Sequence, residues 1–156
     1  MADYPWVKWA RLALDAEIRQ EPLRVKWALE TIAKVYPNDT PAIMLAWIDT
    51  GVAALGLDPA KNPTLRARRR LRELAANPPA IAFHEIETGS IKHADEVPAS
   101  VAAAGRLIAA RLANDEAQFV AVLASVPEGR ELGLVFARVL TAVARWIRDG
   151  SFVPRP

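Results

Sequence analysis

The sequence predicts an all-α fold: a compact bundle of about six or seven helices around a buried central helix at about 40–55, with a short β-hairpin or irregular loop inserted at about 80–96. Three observations carry this. Apolar residues recur at three- and four-residue spacing through most of the chain. Proline stands at or near the start of most of these segments, where its missing N–H costs nothing. One segment, Asn38 to Gly56, has both ends marked and is apolar nearly all round, the pattern of a helix that other helices enclose.

The elements follow in order. Asp3 is placed to cap a first helix that runs to about Gln20, with Trp6, Trp9, Ala10, Ala13 and Leu14 at helical spacing. Pro22 opens a second, whose inward set reads as Leu23, Trp27, Ile32 and Val35. Pro37-Asn38-Asp39 ends it. Asp39 or Thr40 then caps the central helix, Pro41 takes its first position, and Gly56 supplies the left-handed stop. Asn62 and Pro63 start a fourth helix, 64–76, which Asn77-Pro78-Pro79 stops.

Ala80 to His93 is the stretch that does not read as helix. Thr88-Gly89 between two partly β-branched runs suggests a hairpin leaning on the helices, with an irregular loop as the rival. Asp95-Glu96-Val97-Pro98 opens a fifth helix, which runs to about Ala113. Asn114-Asp115 caps a sixth, Glu116 to Val126, with Phe119, Val122 and Leu123 inward. Pro127 opens the last, which carries Leu132, Val135, Phe136, Val139, Leu140, Val143, Trp146 and Ile147 on one face and stops at Gly150. Residues 1–150 read as a single helical domain and 151–156 as a flexible tail. Helices two and three, joined at Pro37, resemble helices six and seven, joined at Pro127, with Trp27 and Phe119 at comparable places. An internal repeat of this kind sets the two long apolar helices together at the centre.

Composition narrows the function. The chain has no cysteine, which excludes disulfides, thiolate zinc sites and cysteine nucleophiles. A net charge of +2 gives little overall attraction to nucleic acid. Met1 to Trp6 lacks the basic start and apolar core of an export signal, and no apolar run reaches about 18 residues without a charge. The reading is a cytoplasmic chain with no membrane span. A Gly-rich phosphate loop, a nucleophile elbow, a zincin helix and a dinucleotide fingerprint are all missing, so the sequence leans away from an enzyme and implies no cofactor.

The candidate sites are few. Trp6 and Trp9 lie one turn apart, and an exposed pair is a contact surface for a partner or a second copy; packing onto the bundle is the alternative. Arg66, Arg68, Arg69, Arg70 and Arg72 spread over the outward side of helix 64–76, while Ala67, Leu71, Leu74 and Ala75 share the other. Arg138, Arg145 and Arg148 add a second positive stripe. Guanidinium groups suit bidentate phosphate contact, against the alternative of a solvated face with an Arg69–Glu73 pair. His84 and His93 face each other if Ile86 pairs with Ile91, and with Asp95 or Glu96 they would hold a divalent metal; two loop histidines is the plainer reading. Asp49, inside the apolar central helix, needs an arginine from another helix or a place at the rim; a catalytic acid is the alternative. The expected function is a non-catalytic helical interaction protein, self-associating or a subunit of a larger assembly. The alternative is nucleic-acid binding through helix 64–76.

Overall fold

The computed structural model describes residues 4–57, 64–76 and 98–150. Every regular element among them is helical: α1 (Val7–Ile18), α2 (Pro22–Val35), a 3₁₀ turn (Pro37–Asp39), α3 (Thr40–Ala54), α4 (Leu65–Ala76), α5 (Ala99–Leu112), α6 (Glu116–Ser125) and α7 (Arg130–Asp149). The hairpin reading, the Asp3 cap and the tail lie outside the described residues.

Local chemistry sets several of the boundaries. The Asp115 carboxylate accepts from the Gln118 N–H at 3.0 Å, so α6 starts where an acceptor meets its free donors. Neither Asp39 nor Thr40 caps α3 in this way. The Thr40 hydroxyl donates back to the Pro37 carbonyl at 3.0 Å, because the 3₁₀ turn before α3 already carries the chain round. Pro127 does not open α7 either. Gly129, at φ +88°, makes the turn into it.

The turns after α1 and α5 are alike. Gln20 (φ 59°) and Asn114 (φ 56°) each take the left-handed conformation. The next N–H then reaches back to a carbonyl five residues earlier, Glu21 to Ala16 at 2.9 Å and Asp115 to Ala110 at 2.8 Å. Superposing the two turns sets Val25, not Trp27, against Phe119. The long helices α3 and α7 do pack along each other. Trp27 is exposed while Phe119 is buried, so the equivalence of those two aromatics does not hold.

The centre of the bundle differs from the expectation. Helix α7 packs on α1, α3 and α5, and buries Val135, Phe136, Val139, Leu140, Val143 and Trp146. Helix α5 is buried nearly all round; Ala102, Ala103, Ala104 and Gly105 let α4, α6 and α7 approach it. Helix α3 buries one face only, Ile43, Met44, Trp47, Ile48, Gly51 and Val52, and leaves Ala42, Asp49, Thr50 and Ala54 exposed. Its outward residues are mostly Ala and Thr. They make the segment look apolar, but they lose little by facing water because each carries little apolar area.

The inward face of α2 also differs. Ala28 and Ile32 are buried and Val25 and Leu29 pack beside them, whereas Leu23, Trp27 and Val35 are exposed. At 100° per residue, Leu23 and Ile32 lie on opposite sides of a helix, so they cannot both face one core. Helix α1 follows its expected face, with Trp6, Ala10, Ala13 and Leu14 buried.

Candidate functional site

The outward side of α2 carries two exposed large apolar side chains. Leu23 is 82% exposed and Trp27 is 54% exposed, four residues apart and therefore neighbours on the helix surface. The Thr31 hydroxyl donates to the Trp27 carbonyl at 2.8 Å, which ties its polar atom down to the helix backbone. Trp9 of α1 meets Trp27 edge-on, with ring centroids 5.0 Å apart and planes at 81°. The Lys8 ammonium stands 5.7 Å from the centre of the Trp9 ring. Lys26 and Glu30 flank the strip, 3.9 Å apart and both largely exposed.

Of the aromatic pair read either as a contact surface or as packed onto the bundle, Trp6 is only 8% exposed and belongs to the core. Tyr4 stacks on its ring at 5.7 Å. Trp9 is half-buried and packs against the core. The exposed tryptophan is Trp27. On the helical wheel Trp27 lies about 140° from Ile32, and that separation is the sequence signal for its exposure.

Helix α4 docks on α5 through a face that includes buried Leu71. Arg66, Arg68, Arg69 and Arg72 are exposed, as is Leu65 among them. The side chains of Arg70 and Glu73 lie outside the described set, so the Arg69–Glu73 pair does too. The stripe on α7 is less available. Arg138 is exposed, but the Arg145 side chain is mostly buried and lies 3.7 Å from Asp149, and Arg148 reaches the Glu17 carbonyl at 3.4 Å.

Asp49 takes the arginine partner that its place in an apolar helix calls for. Arg111 of α5 grips it with two hydrogen bonds, Nε to Oδ1 and an Nη to Oδ2, both 2.8 Å. The hydrogen bond to Asp49 raises the Arg111 pKa above its ordinary value; partial burial works against it, and the charges of Asp49 and Glu116 add to the rise. Both groups remain partly exposed, so the pair is worth about 1 kcal/mol at most as a link between α3 and α5.

His84 and His93 lie outside the described residues. Among the described residues no group of three His, Asp or Glu side chains stands ready for a metal. No described helix is long and apolar enough to cross a membrane. No family model matches the chain, and no curated protein or solved structure matches it.

Proposed function

We propose that this chain is a non-catalytic helical interaction protein, self-associating or a subunit of a larger assembly, and that the outward side of α2 is its contact surface. The observation that carries the reading is Trp27 beside Leu23, both held out toward water on a helix whose other side is well packed. Tryptophan in such a place is the side chain that most often anchors a protein contact, because it buries a large rigid area at little entropic cost.

Changing Leu23 and Trp27 together to Glu tests this. Both side chains are exposed, so the fold should hold, with a loss of about 1 kcal/mol or less from the Trp9 contact. Light scattering and native mass spectrometry of protein purified under native conditions should find the wild type dimeric or carrying a stoichiometric partner, and the variant alone as a monomer. A wild type that is strictly monomeric and without partner at every concentration contradicts the reading.

A second reading rests on α4. Exposed Arg66, Arg68, Arg69 and Arg72 on one short helix suit phosphate contact. It expects binding of labelled DNA or RNA that weakens steeply with salt, and that is lost when Arg66, Arg69 and Arg70 become Glu. Fluorescence anisotropy with no binding at low salt removes it.

A further inference from the structure

We propose that α2 pairs with α2 of a second copy of this chain, antiparallel, about a two-fold axis passing between Trp27 and Glu30. This rests on the reading of α2 as the contact surface and goes beyond it by naming the occupant.

The outward strip has the spacing of a helix-pairing seam. Leu23, Trp27, Glu30 and Lys34 follow one another at intervals of four, three and four, and fall within about 60° of the helix circumference. A two-fold contact must be self-complementary, since each residue meets the residue that meets it. A parallel pair would set Glu30 on Glu30 and Lys34 on Lys34, and like charges so placed repel. The antiparallel pair offsets the two Glu30 by three residues, about 4.5 Å along the axis, and the two Lys34 by eleven, about 16 Å. It sets Leu23 of one copy against the aliphatic stem of Lys34 of the other, with the ammonium free to reach water. It sets Trp27 against Glu30.

The flanking charges fit the same arrangement. Lys26 lies beside the strip on the same side as Glu30, and in the antiparallel pair Lys26 of each copy comes nearly level with Glu30 of the other, twice by symmetry. Within one chain these two stand 3.9 Å apart and largely exposed, a loose contact that leaves both able to turn to a new partner. Arg24 on the far flank is 3.3 Å from Glu21, the residue before the helix, which offsets its charge where Lys34 of the second copy approaches. Helix α2 is short, and the strip is smaller than the roughly 800 Å² per partner of a tight complex, so the dimer is expected to be weak, with Kd on the order of 10 µM to 1 mM.

The test uses the full chain in two variants, Lys26→Glu and Glu30→Lys, one of them labelled with nitrogen-15. Sedimentation velocity of the wild type should show monomer passing to dimer as concentration rises to about 1 mM. Each variant alone places like charges opposite one another and should need about tenfold more protein to associate. An equimolar mixture should regain wild-type association, and native mass spectrometry should show the mixed dimer in excess over both pure ones. The pairing within a single chain is the same in the mixture as in the separate variants, so it cannot produce this rescue. A wild type that stays monomeric overturns the proposal, as does a mixture no better than its components or variants that associate like wild type. A monomeric wild type that still carries another protein, lost on changing Leu23 and Trp27 to Glu, overturns the dimer and leaves the contact surface standing. Self-association unaffected by that double change overturns both.

Discussion

Trp47→Ala is expected to remove about 3–5 kcal/mol of folding stability, the largest loss from any single change considered for this chain. The side chain is essentially fully buried. Its ring lies 4.6 Å from that of Phe136 on α7, and its indole N–H donates to the Ala10 carbonyl of α1 at 2.9 Å. One residue of α3 thus joins three helices, through an aromatic contact on one side and a hydrogen bond on the other. Removing it opens a cavity that the flanking helices cannot close without leaving their other contacts. A domain of this size has on the order of 5–15 kcal/mol in total, so the variant should sit near the edge of folding. Trp47→Phe separates the two contributions. It keeps most of the ring and loses the hydrogen bond, so about 1–2 kcal/mol is expected to go. Urea denaturation followed by far-ultraviolet circular dichroism measures both. Equal losses for the two variants would show that the ring contact with Phe136 contributes little.

The second large effect is a difference of sign between two identical changes. A methyl group added at Gly51 would stand 3.0 Å from Cε3 of Trp146 and 3.1 Å from Cγ1 of Val143, both buried and closely packed. Alanine is the better helix former by about 1 kcal/mol, but overpacking a filled core costs about 1–3 kcal/mol. Gly51→Ala should therefore destabilise, and Gly51→Val more so. At Gly133 on α7 the added methyl group meets nothing within 4 Å, and the residue sits inside a regular helix. Gly133→Ala should stabilise by about 0.5–1 kcal/mol. Thermal unfolding of the two variants beside the wild type checks the pair. A rise in Tm for Gly51→Ala would mean that α3 and α7 sit farther apart than 3.0 Å implies.

The sequence showed the helices well where the signal was local. Asp115 stands directly before an apolar-periodic run, and it caps α6. Gly56 and Gly150 both take the positive φ that ends a helix. The apolar face of α7 was readable because its eight residues share one stripe, and six of them are buried. What failed needed more than hydrophobicity. On α2, hydrophobicity alone groups Leu23 and Trp27 with Ile32, although the wheel sets them apart and the structure turns the first two to water. On α3, alanines passed for a reason to bury the helix on every side. The pairing of Asp49 with Arg111 spans 62 residues, and no spacing rule reaches that far. Which tryptophan is exposed followed from how α1 and α2 pack, with Trp6 turned into the core and Trp27 out of it.

In the proposed function α2, and not α4, meets the partner. The most direct measurement places a photo-cross-linking amino acid at Trp27 in one preparation and at Arg69 in another, and irradiates each under native conditions. The account predicts a cross-linked protein product from position 27, at twice the chain's mass if the partner is a second copy, and none from position 69. Cross-linking from position 69 alone, to nucleic acid or to protein, would contradict it and move the function to the arginines of α4.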